Sequence, residues 1–221
     1  MVTSDGSWSA RHSVDAVARR TAALVNVLTG EEAPSAAAVA AVLRAHGESG
    51  ESGGSGGSGG GPGLELPERE VAGMRTAALM LREVFAATGT DEAAERLNRL
   101  LPLSTGTLRL TSHGGSSPWH PHLDSHDDAP WGEWLLASSS LALTVLVWDR
   151  QRPPGGVCAS DGCRNVFLTQ GSGPERRYCS RRCATRERVA AHRRAKSPGG
   201  PSPRDHAPQN PSGSRQLGDG G

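Results

Sequence analysis

Four cysteines carry the clearest chemical signal in the chain: Cys158, Cys163, Cys179 and Cys183, spaced C-x4-C-x15-C-x3-C. Zinc asks for four soft donors at the corners of a tetrahedron, with sulfur roughly 2.3 Å from the metal, and two short-spaced pairs on separate turns can supply them. Two disulfides, or buried thiols without a ligand, are the alternative for the same residues. The stretch from Met1 to Arg11 lacks the apolar run of a secretory signal, which favours a reducing, cytoplasmic setting and thiolate ligation. A closed set of four thiolates leaves no open coordination position, so one Zn2+ here is expected to be structural and not catalytic.

Positioning four sulfurs requires short, sharply turned elements. Val166-Phe167-Leu168 reads as a strand, Gly171 to Pro174 as a turn, and Arg176-Arg177-Tyr178 as a returning strand that delivers Cys179. Ser180 is placed to cap a helix with Cys183 in its first turn, where free amides and the helix dipole favour thiolate. The expectation is a treble-clef-like module of knuckle, hairpin and helix. Its few apolar groups, among them Val157, Phe167, Tyr178 and Val189, predict that it does not fold without metal.

At about 100° per residue, the helix after Ser180 separates into two faces. Cys183, Ala184, Ala190, Ala191 and Ala195 are expected to face the metal and hairpin. Arg181, Arg182, Thr185, Arg186, Arg188, His192, Arg193 and Lys196 lie on the other arc, which holds no carboxylate because Glu187 falls on the alanine side. Like charges at this spacing repel, so the arc points to an external polyanion; a solvated face, or one that docks an acidic protein, is the alternative. Arg176, Arg177, Arg181, Arg182, Arg186, Arg188 and Arg193 are the candidate nucleic-acid contacts.

Charge is segregated in the same way. The 221 residues sum to +1, but residues 1–150 hold 11 basic and 18 acidic residues (−7), and residues 151–196 hold 11 basic and 3 acidic (+8). All but one of the basic residues are arginines, Lys196 being the exception; the planar guanidinium suits bidentate phosphate or base contacts.

The acidic part reads as a helical body. Val14, Val17, Ala18, Thr21, Leu24, Val25 and Leu28 form a helical stripe opened by Ser13, and an alanine-rich helix follows from Ser35 to His46. Residues 47–63, a run of Gly and Ser with no apolar side chain, form a flexible inserted loop. Helical periodicity resumes after Pro67 with Val71, Met74, Ala78, Leu81 and Phe85, and Thr90 is expected to cap a shorter helix ending at Pro102. Thr107 to Thr111 and Trp119 to Leu123 alternate as an antiparallel hairpin, with Pro121 confining the second strand to an edge. A long apolar helix runs from Trp131 to Trp148; Glu133 and the Ser138-Ser139-Ser140 triplet argue for a buried helix and against a membrane span. Residues 151–157 read as a linker and residues 197–221, rich in Pro, Gly and Ser, as a disordered tail. The fold class is therefore α+β: a mainly helical N-terminal domain with one hairpin, followed by a small four-cysteine finger.

His113, His120, His122 and His126 cluster with Asp124, Asp127 and Asp128 around the hairpin. An exposed polar hairpin face explains them, as does a second metal or small-ligand site, which would make the body a sensor. No G-x-S-x-G elbow, phosphate-binding glycine loop or dinucleotide fingerprint is present, so an enzyme is not expected. Trp119, Trp131, Trp134 and Trp148 are expected to pack between hairpin and long helix.

From Cys158 to Ala195 the sequence resembles the CGNR-type zinc finger in its cysteines, Phe167, Arg176-Arg177-Tyr178-Cys179-Ser180 and His192-Arg193-Arg194; the name-giving motif reads Cys183-Ala184-Thr185-Arg186. That family's finger follows an ABATE-type domain, which the body resembles in element order and at Leu24-Val25-Asn26-Val27-Leu28. The resemblance implies an ABATE-like domain over 10–150, a finger over 157–196, and a stress-linked transcriptional regulator. The resulting expectation is a cytoplasmic, zinc-dependent DNA-binding protein with a small-molecule effector at its N-terminal domain and no membrane association. A zinc-stabilised protein-interaction adaptor is the alternative.

Overall fold

The computed structural model describes residues 13–48, 64–104, 106–115, 119–169 and 176–196. Most of the 47–63 loop and the whole 197–221 tail lie outside them, as does the side chain of His113. The elements in chain order are α1 (Val14–Leu28), α2 (Ala36–Ala45), α3 (Glu68–Phe85), α4 (Thr90–Leu100), β1 (Arg109–Thr111), β2 (His120–His122), α5 (Trp131–Arg150), β3 (Gly155–Val157), β4 (Val166–Leu168) and α6 (Arg181–Lys196).

The apolar stripes form where the periodicity places them. Ser13 and Ser35 accept from the amides of Ala16 and Ala38 and so open α1 and α2. The α4 N-cap is Gly89; Thr90 instead spends its hydroxyl on the Gln151 carbonyl, at 2.9 Å. α5 runs through the middle of the body, packed on α3, α1 and α4. Gly73 of α3 and Gly132 of α5 let the two helices touch: a Cβ on Gly132 would lie 2.7 Å from the Gly73 carbonyl carbon. Two serines of the triplet meet polar partners on α1, while the Ser140 hydroxyl is buried without a hydrogen-bond partner. Arg20 donates to Ser138 at 3.0 Å and stacks over Trp134, and Thr21 donates to Ser139 at 2.8 Å. Among the described residues no helix is long and apolar enough to cross a membrane.

Trp131 and Trp134 pack edge to face in the core. Trp119 and Trp148 do not join them; each is at least 70% exposed. Trp119 sits on the outward-alternating side of the hairpin, and Trp148 lies on the outer face of α5, beside Leu146 and Val147, which are buried.

Two antiparallel hairpins complete the fold. β1 pairs with β2 in the register Arg109↔His122, Leu110↔Pro121 and Thr111↔His120. The second hairpin overturns two expectations. β4 pairs with β3, inside the segment read as a linker, and not with Arg176–Tyr178, which forms no strand. Two glycines make β3 possible. A Cβ on Gly155 would lie 1.8 Å from the Phe167 carbonyl oxygen, and one on Gly156 would meet the Phe167 ring at 3.0 Å.

This hairpin belongs to the body's interior. Val166 and Leu168 are part of the same buried cluster as Leu24, Leu28 and Phe85, and Val157 packs against it. Burying side chains of this size contributes about 1.5–3 kcal/mol each. Arg150 adds a polar tie, donating to the Thr169 carbonyl at 3.2 Å and to Asp15 of α1 at 2.8 Å.

Candidate metal centre and nucleic-acid face

Cys158 and Cys163 stand at the turn joining β3 to β4, so the hairpin carries the first cysteine pair instead of separating the two pairs. The Cys158 amide donates to the Asn165 carbonyl at 2.8 Å, and the Cys163 amide to the Ser160 carbonyl at 2.9 Å, closing a knuckle. Cys179 and Cys183 approach from the other side. Ser180 caps α6 by accepting from the Cys183 amide at 3.2 Å, as its position predicted.

All four sulfurs lie within 4.8 Å of one another, and Cys179 Sγ is 3.7 Å from both Cys163 Sγ and Cys183 Sγ. A tetrahedron with sulfur at roughly 2.3 Å from zinc has edges of about 3.8 Å. The donor set therefore fits one structural zinc ion, and the four thiols are not joined as disulfides. The Cys179 backbone amide donates to Cys158 Sγ at 3.3 Å, and Asn165 Nδ2 reaches Cys179 Sγ at 3.9 Å; such donors offset part of the negative charge of a four-thiolate centre. Without metal the thiols differ. Burial, reinforced by the neighbouring sulfurs, pushes Cys179 up to about 12, and burial raises Cys163 as well; the Ser180 hydroxyl holds Cys183 down at about 7.

A polar brace locks the knuckle to α6. Ser160, 3% exposed, donates to Glu187 at 2.8 Å and accepts from Arg186 at 2.7 and 3.1 Å. Glu187 also accepts from the Asp161 amide at 3.0 Å, and Arg186 donates to the Asp161 carbonyl at 2.9 Å. These bonds to Ser160 and Asp161 hold the Glu187 carboxyl below the usual range. Arg176 lies over the Phe167 ring and donates to the carbonyls of Tyr178, at 2.7 Å, and Cys179.

All seven candidate arginines are exposed, as are Arg194 and Lys196, but two of them also brace the centre: Arg176 and Arg186 donate to groups around it. α6 meets the rest of the molecule through Cys183, Arg186 and Glu187, and Ala184 and Ala190 are partly buried. Ala191 and Ala195, expected to face inward, are exposed with the whole of residues 191–196. The hairpin is too short to follow the helix that far. No exposed carboxylate interrupts the cationic surface of α6.

The histidines are brought together in part. His120 and His122 lie on one face of β2 with Nε2 atoms 3.0 Å apart, and His122 Nδ1 faces the buried Asp124. His126 and Asp128 are exposed, and Asp127 pairs with Arg109. Sequence reasoning missed Asn26, whose role is a paired contact with β4, and Ser160; neither has a spacing signal.

The fold and site define a four-cysteine zinc finger seated on a helical body. Residues 156–196 match the model of the CGNR zinc finger. No curated protein matches the chain.

Proposed function

We propose that this protein is a DNA-binding transcriptional regulator whose zinc centre fixes α6 as the nucleic-acid-contacting element, with the helical body, read as ABATE-like, receiving an effector. The observation that carries this reading is the charge of α6. Its acidic residue, Glu187, is consumed by the knuckle, while Arg181, Arg182, Arg188, Arg193, Arg194 and Lys196 are exposed. At 1.5 Å per residue the helix is about 24 Å long, and its last six residues are exposed. That shape suits approach to a duplex backbone or groove. No catalytic step belongs to this reading.

Binding of the zinc-loaded full chain to duplex DNA tests it. If about six phosphates are engaged, affinity should fall about 10³-fold between roughly 50 and 200 mM salt. Absence of duplex binding, or affinity flat with salt, overturns the reading in favour of a protein-docking finger.

A further inference from the structure

On β2, Pro121 points outward and the imidazoles of His120 and His122 share the other face. Their ring centroids are 4.8 Å apart at 64°, and the two Nε2 atoms approach to 3.0 Å. His122 Nδ1 lies 2.8 and 3.0 Å from the two oxygens of Asp124, which is 3% exposed and paired with Arg109 at 3.1 Å. In the Nδ1–H tautomer of His122, the one that donates to the Asp124 carboxylate, Nε2 is the nitrogen left to ligate and lies on the His120 side. Carboxylate support of the far ring nitrogen is the arrangement that orients metal-bound imidazoles and raises their basicity.

The separation of the two nitrogens selects a geometry. Donors about 2.1 Å from a metal are about 3.0 Å apart when they subtend 90°, and about 3.4 Å apart at a tetrahedral angle. We propose that His120 Nε2 and His122 Nε2 form a cis bidentate site for a square-planar or octahedral divalent ion of the nickel and copper class, distinct from the tetrahedral thiolate centre. His120 is partly exposed, so the pair can be reached from solvent. The ion replaces the proton shared between the two rings, with His120 moving to its Nδ1–H tautomer. Pro121 and the pairing of β2 with β1 fix the strand and keep both rings on one side.

The test is a Ni(II) titration of the zinc-loaded full chain, read by calorimetry and by metal analysis of nickel and zinc together. One nickel should bind per chain while zinc stays at one. His120→Ala should abolish that binding, and Asp124→Asn should weaken it about 10–100-fold, the usual cost of losing such an outer partner. His120 is the less buried of the pair, and circular dichroism of His120→Ala checks that the variant folds; if it does not, His120→Gln replaces it. No nickel bound beyond zinc, nickel that displaces zinc, or equal binding by the His120 variant overturns the proposal. In those cases the pair is only an N–H···N hydrogen bond. The outcome is independent of whether α6 binds DNA.

Discussion

The side-chain amide of Asn26 acts as a strand for Val166. Asn26 Oδ1 accepts from the Val166 amide at 2.7 Å, and Asn26 Nδ2 donates to the Val166 carbonyl at 3.1 Å. Both groups of one buried residue on the free side of β4 are thereby satisfied by α1, 140 residues away in the chain.

Asn26→Ala should therefore destabilise the whole protein by about 1–3 kcal/mol, because it leaves a Val166 amide and carbonyl at the edge of the core without partners. Asn26→Asp restores only the acceptor and should recover part of the loss. Chemical denaturation checks both; a change below about 0.5 kcal/mol for the alanine variant contradicts the pairing's structural role.

Chelation should not unfold residues 151–196 as a unit. Zinc loss frees the knuckle and the first turn of α6, but Val166 and Leu168 stay buried against Leu28 and Phe85. Hydrogen exchange should show protection lost at 158–165 and 176–196 and kept at 14–28, 131–150 and 166–168. Loss of all protection in one step argues for a core that depends on the metal.

Zinc affinity should rise with pH, since the metal displaces protons from the thiols. Cys179, pushed up to about 12, still surrenders a proton to zinc throughout the physiological range. Cys183, held at about 7, is already ionised above that pH and must also be deprotonated below it. The slope of log affinity against pH should steepen as pH falls through about 7. Competition with a chromogenic chelator measures it, and a slope that flattens there would falsify the assignment of Cys183.

Arg186 and Arg188 are neighbours with different expected losses. Arg186→Ala removes the brace on Ser160 and should speed zinc release; its effect on DNA binding should follow the lost zinc. Arg188→Ala should leave zinc in place and lower the salt slope of DNA binding by about one. Equal zinc loss in the two variants would remove the distinction.

Much of this was legible in the sequence. Apolar residues at helical spacing located α1, α2, α3 and α5, and alternation located β1 and β2. The cysteine spacing identified the metal ligands, and Ser180 the start of α6. What stayed hidden depends on long-range contact. Gly155-Gly156 after two prolines reads locally as a linker and becomes a strand because Phe167 lies on it. Arg176 and Arg186 resemble the other arginines by type, and only the fold shows which carbonyls and hydroxyls they meet. Helical spacing assigned Ala191 and Ala195 to a buried face, but a wheel has no information on how far the opposing surface extends. Residue type places Trp119 and Trp148 with Trp131 and Trp134 between hairpin and long helix, whereas burial follows position.

The seating of β4 has a consequence for how such proteins can be assembled. A finger that contributes Val166 and Leu168 to its neighbour's interior is not an exchangeable cassette: grafted elsewhere it would expose two apolar side chains, and the donor would be left with a hole beside Phe85. Any variation in the metal-binding half is thus answerable to α1 and α3, and a change in those helices reaches the zinc hairpin with no hinge between them.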